Sequence, residues 1–135
     1  MADYFEWLDS YSVGVRTFDD AHKNLIGIIN RVVTDCMENK PLSQMTDLLI
    51  DLIRYTRYHF RNEEELMKET GFDLFEQHQA HHDKLFDQVL QFTDDTFHGR
   101  IDKSEITQFL MDWLITHILE EDMKYKEHFG KLGIH

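Results

Sequence analysis

The chain has 135 residues, the size of one ordinary domain, and needs no disulfide staples to bury a core. Six glycines and one proline are too few turn residues for a sandwich or barrel, which leaves an all-α fold. Fourteen basic against 26 acidic residues give a net charge of −12, a surface that repels phosphate backbones and anionic lipid heads, so no nucleic acid partner is expected.

Residues 1–18 carry Tyr4, Phe5, Trp7, Leu8, Tyr11, Val13, Val15 and Phe18 without a helical period, and read as an extended arm anchored by its aromatics. The first helix is expected over about 19–38, capped by Asp19 or Asp20, with Leu25, Ile28, Ile29, Val32, Val33 and Cys36 as its stripe. Pro41 suits the first turn of a second helix over 41–69, with Met45, Leu48, Leu49, Leu52, Ile53, Thr56 and Phe60 inward and Gly71 beyond its end. Asp73 and Glu76 read as a capping box opening a third helix over 73–97, with Phe75, Leu85, Phe86, Val89, Leu90 and Phe92 as its apolar set. Asp102 and Glu105 repeat the box for a fourth helix over 102–128, carrying Ile106, Phe109, Leu110, Trp113, Leu114, Ile118 and Tyr125. Four helices on short links predict an up-down-up-down bundle, one domain spanning residues 1–135. No apolar run approaches the ~20 residues of a membrane span, so no membrane insertion is expected. Met1 to Ser10 lack a signal-peptide pattern and Cys36 is the single cysteine, a core filler in a reducing compartment; a cytoplasmic location is the expectation.

Nine histidines are far more than a chain of this length ordinarily holds. His59 and Glu63 stand four apart, as do His78 and His82, and on a helix each pair shares one face. Either spacing alone is weak. The bundle topology sharpens it, because His22 lies near the start of the first helix, His59 and Glu63 near the end of the second, His78 and His82 near the start of the third, and His117 with Glu121 and Asp122 near the end of the fourth. All four sets fall within roughly 5–15 Å of the same end, an agreement in depth that scattered surface histidines have no reason to show. Five imidazoles and two carboxylates exceed one tetrahedral zinc and are too rich in nitrogen for calcium or magnesium. They suit two six-coordinate first-row metals, iron foremost. Glu63 to Glu65 otherwise reads as a solvated face, and His98, His128 and His135 as surface residues.

These motifs resemble the hemerythrin family in its single-domain bacterial form. The likeness runs through Trp7, Val13 to Val15, Asp20-Ala-His22-Lys-Asn-Leu25, the HFRNEE of His59 to Glu64 with Met67, Gly71-Phe72, His78-Gln-Ala-His-His82, and Trp113 to Asp122. The resemblance implies two non-heme iron ions per chain (Fe2+/Fe3+), bridged by oxo or hydroxo, that bind dioxygen reversibly. It implies His22, His59, His78, His82 and His117 as terminal ligands and Glu63 and Asp122 as bridges. Straight helical geometry prefers Glu121 to Asp122 as the partner of His117, since four residues turn about 40° past a full circle and five about 140°; the resemblance favours Asp122. It favours His82 over His81 in the same way. Leu25, Phe60, Leu114 and Ile118 beside the ligands are expected to wall the dioxygen pocket against water, Leu114 foremost.

Only two anionic ligands stabilise high-valent iron less than the roughly four carboxylates of di-iron oxygenases, so the reading is a dioxygen-binding protein for storage or transport and not an enzyme. A di-iron enzyme of the same bundle (a peroxidase, iron oxidase or nitric-oxide-handling repair protein) is the alternative, with an oxygen sensor acting through a partner beside it. A monomer is expected, with an oxygen-using enzyme as a possible recipient.

Overall fold

A computed structural model of the chain describes residues 5–135, apart from the side chains of Leu42, Lys103, Ile118, Leu119 and Glu120. Four antiparallel rods pack in sequence: α1 (Arg16–Met37), α2 (Leu42–Glu69), α3 (Phe75–Phe97), and a fourth made of α4 (Lys103–Ile115), a wide turn (Thr116–Glu121), a 3-10 turn (Asp122–Tyr125) and α5 (Lys126–Lys131). The expected all-α bundle is what the chain adopts, and the described residues contain no strand. Two residues beyond the ends of α1, α2 and α3 stand Asn39, Gly71 and Gly99, each with positive φ. In each case the next amide reaches back five residues: Lys40 to Asp35, Phe72 to Met67, and Arg100 to Asp95, each at 2.9 Å. These left-handed stops keep the links short and the neighbours antiparallel.

Helix starts depart from expectation in two places. α1 begins at Arg16, so neither Asp19 nor Asp20 caps it. Asp19 instead accepts from Val13 N at 2.8 Å and Ser12 Oγ at 2.6 Å, fastening the incoming segment to the first turn. α3 begins at Phe75 with no side-chain cap, so Asp73 does not act as one. Phe72 is buried and its carbonyl accepts from Phe75 N at 3.1 Å, a turn that draws Asp73 and Leu74 out of cap geometry. The second expected box does form: Asp102 accepts from Glu105 N at 3.0 Å and Glu105 reaches back to Asp102 N. Pro41 stands just before α2 instead of in its first turn.

The arm is shorter than expected, ending at Val15. Phe5, Val13 and Val15 are buried, but Leu8 is exposed and Asp9–Tyr11 form a 3-10 turn; Tyr4 lies outside the described residues. Asn30 clamps the arm, accepting from Phe5 N at 2.9 Å and donating to its carbonyl at 2.7 Å. Leu90, assigned to the apolar set of α3, is exposed.

The apolar interior is split. One cluster holds Leu25, Leu49, Leu52, Phe60, Leu85, Trp113 and Leu114 among others. A smaller one holds Val13, Val15, Phe18, Met67, Phe72, Tyr125 and Phe129. Along α1, His22 stands between Phe18 of the small cluster and Leu25 of the large one, and Glu63 and His117 hold the same intermediate level on their rods. A polar layer therefore lies sealed between two apolar plugs. No described helix is long and apolar enough to cross a membrane.

Candidate metal centre

His22, His59, Glu63, His78, His82, His117 and Asp122 all meet in that layer, none more than 2% exposed. Each helix supplies its share through its own periodicity: α1 gives His22, α2 gives His59 and Glu63 one turn apart, and α3 gives His78 and His82 likewise. The fourth rod solves a register problem. His117 and Asp122 are five apart, but the backbone between them is wound as a π-turn, and Asp122 N–H donates to the carbonyl of His117, five residues back. The backbone stays right-handed, with φ of −58° at Thr116, −72° at Asp122 and −55° at Lys126. The extra residue is absorbed in one wide turn, and Asp122 arrives on the face that Glu121 would hold in a straight helix. Glu121 turns outward to Lys124 at 3.1 Å.

The seven side chains divide into two sets that share both carboxylates. Donor atoms of His22, His59, Glu63, His117 and Asp122 lie within 4.8 Å of one another, and so do those of Glu63, His78, His82 and Asp122. Glu63 turns Oε2 toward His59 Nε2 (3.1 Å) and Oε1 toward His82 Nε2 (3.1 Å). Asp122 turns Oδ2 toward His22 Nε2 (2.7 Å) and His117 Nε2 (2.9 Å), and Oδ1 toward His78 Nε2 (3.1 Å).

Most of these approaches are not hydrogen bonds. The Nε2 atoms of His59, His78, His82 and His117, with Glu63 Oε1 and Asp122 Oδ1, are buried without a hydrogen-bond partner among the described residues. Each such orphan costs about 1–3 kcal/mol, and here they point past one another toward common centres. This donor set fits a pair of metal ions. Without a cation the layer balances its charge with protons. Burial lowers His22 and His78, but Asp122 and Glu63 outweigh it and raise them to about 9 and about 10. His117 is pushed down by burial to about 4 and stays neutral. Burial would raise Glu63, yet the surrounding imidazoles of His59, His22 and His78 outweigh it and hold the carboxyl well below the carboxylate range. Burial and Glu63 would likewise raise Asp122, but His117 and His22 keep it ionised.

Two supports were not visible in the motifs. Tyr125, assigned to an apolar stripe, donates its hydroxyl to Glu63 Oε2. Its place three residues after Asp122 was the available signal. Glu64, assigned to a solvated face, accepts from His82 Nδ1 at 3.0 Å. Of the apolar neighbours, Leu25, Phe60 and Leu114 are buried in the large cluster, and Phe60 stacks on His82 with ring centroids 3.8 Å apart. The side chain of Ile118 lies outside the described residues. His81 stands off the layer, 4.0 Å from Glu121. His98 and His135 are exposed, whereas His128 is half-buried and donates to Thr70 Oγ1 at 2.9 Å.

Known proteins share this sequence pattern and fold. The chain is 27% identical over 127 residues to a bacteriohemerythrin of Clostridium acetobutylicum, covering 90% of this chain and 98% of that protein. It is 30% identical over 122 residues to a hemerythrin-like protein of Naegleria gruberi, covering 90% and 91%. Among solved structures, wild-type hemerythrin superposes with a TM-score of 0.82 at 28% identity, covering 92% of this chain and 96% of the other. A leucine-to-alanine mutant of hemerythrin gives 0.83 at 26%, covering 93% and 97%. The sequence profile of the hemerythrin HHE cation binding domain matches residues 13–129. With nearly the whole chain matched, and a buried layer of five histidines and two carboxylates at its heart, this protein belongs to the hemerythrin family.

Proposed function

We propose that the chain binds dioxygen reversibly at a di-iron centre, for storage or transport. The observation that carries this reading is the division of both carboxylates between two imidazole sets. His22, His59 and His117 would hold one iron, His78 and His82 the other, with Glu63 and Asp122 giving one oxygen to each. When bound, two ferrous ions supply the pair of electrons that a reversible carrier lends to dioxygen.

The chain's own residues set the rest. One position has three imidazoles and two carboxylate oxygens, the other two imidazoles and two oxygens. The His78–His82 position is thus the one with room for a small ligand. Leu25, Phe60 and Leu114 wall the layer on the side of the large cluster, excluding water and the protons it carries. Tyr125 keeps Glu63 oriented from the opposite side. With two negative ligands the centre has little anionic support for high-valent iron, which favours binding over oxidation of a substrate.

The test is anaerobic titration of the metal-free protein with ferrous iron, followed by oxygen uptake. Two irons per chain and one dioxygen released again under inert gas are expected. Saturation at one iron, or zinc that iron does not displace, would refute the reading.

A further inference from the structure

Glu64 follows Glu63 by one residue, so it points about 100° around α2 from the buried layer. It does not go to solvent. Its Oε2 accepts from His82 Nδ1 at 3.0 Å, its Oε1 accepts from Gln79 Nε2 at 2.9 Å, and its side chain is only 16% exposed. Because a carboxylate only accepts, His82 carries a proton on Nδ1, so Nε2, 3.1 Å from Glu63, is the nitrogen that can give its lone pair to the centre. The contrast with the other set is clear: the Nδ1 atoms of His22, His59 and His117 are buried without a partner among the described residues. Phe60 lies flat against the His82 ring, with an interplanar angle of 2°. The imidazole is therefore fixed in tautomer by Glu64 and in tilt by Phe60. Outside Glu64 a depression of about 220 Å³, flanked by Arg57, Arg61 and Phe86, opens to solvent.

We propose that Glu64 is a positioning residue that locks His82 as an Nε2 donor and strengthens its donation, so that the metal position poorest in protein ligands is electronically distinct from its neighbour. This rests on the di-iron reading above. A carboxylate on the outer nitrogen makes the inner nitrogen a better donor, and loss of such a partner ordinarily weakens metal binding about 10–100-fold. A stronger donor favours ferric over ferrous iron. Removing the carboxylate therefore shifts the reduction potential upward, whereas a purely structural role would leave it in place.

The experiment compares the parent protein with Glu64→Ala and Glu64→Gln, each loaded with ferrous iron, by competitive chelation and by redox titration. Glu64→Gln keeps an acceptor oxygen for Nδ1–H and removes only the charge. The parent is expected to hold two irons. Glu64→Ala is expected to bind the second iron at least tenfold more weakly, and Glu64→Gln within about threefold of the parent. Both variants are expected to titrate at a higher potential, the alanine variant more so. Equal iron affinity and equal potential in all three proteins would overturn the role of Glu64 while leaving the metal centre standing. A parent protein that binds no iron would overturn both.

Discussion

Deleting Asp122 should do less harm than replacing it. In a straight helix each residue turns about 100°, so five residues from His117 would leave Asp122 about 140° off its face. The π-turn over Thr116–Glu121 removes that error by absorbing one residue. If Asp122 is deleted, the turn can close as ordinary α-helix. Glu121 then stands four residues from His117, about 40° off, and Tyr125 and Phe129 follow seven and eleven residues after it, each within about 20° of its face. The variant reproduces on the fourth rod the His59–Glu63 arrangement of α2, with tyrosine and phenylalanine still in their plug. Asp122→Ala, by contrast, leaves a buried cationic His22 without its 2.7 Å partner, at a cost of about 3–5 kcal/mol in the metal-free protein. Denaturant unfolding of both variants without metal, and iron per chain after loading, make the comparison. The deletion is expected to stay within about 1–2 kcal/mol of the parent and to hold close to two irons, while the alanine variant loses iron and stability together. If the deletion is as damaging as the alanine, the wide turn itself holds the centre and the register argument fails.

The remaining predictions concern the pocket and protons. Leu114→Ala should keep two irons, lose about 2–5 kcal/mol of stability, and shorten several-fold the time for air-exposed ferrous protein to turn ferric; an unchanged rate with the fold intact would make Leu114 core alone. In the metal-free protein His22 and His78 are raised to about 9 and about 10. Their stabilisation is full below the unfolded histidine value near 6.5 and is lost as pH rises through 9 to 10, so denaturant midpoints should fall across that window and not in the iron-loaded protein. Since ligation needs neutral nitrogen, iron loading at pH 7 should release about two protons per chain, measurable in weak buffer, and far fewer near pH 11.

The legible part of this molecule was whatever one helix repeats. The stripes of α1 and α2, the Asp102 box and the four-residue pairs His59–Glu63 and His78–His82 follow from an undisturbed α period, and all stand where that period puts them. Cap assignments at Asp19 and Asp73 failed because tertiary contacts took those segments: the arm claimed Asp19, and burial of Phe72 pulled Asp73 into a turn. The preference for Asp122 over Glu121 came from likeness to a family, against the straight-helix angle. Its physical cause, a backbone wound five residues to the turn, has no periodic signature. Glu64 and Tyr125 were hidden for a different reason. Their partners come from other elements, and a charged or aromatic residue looks the same in sequence whether its polar atom meets water or a ligand's far side.

The most direct measurement is the optical spectrum of reduced, iron-loaded protein under argon, then in air, then under argon again. A reversible carrier gives a nearly colourless first state, a visible charge-transfer band in air, and loss of that band on return to argon, through repeated cycles with two irons per chain. No band in air, or a ferric spectrum that argon does not reverse from the first exposure onward, would contradict reversible dioxygen binding at this centre.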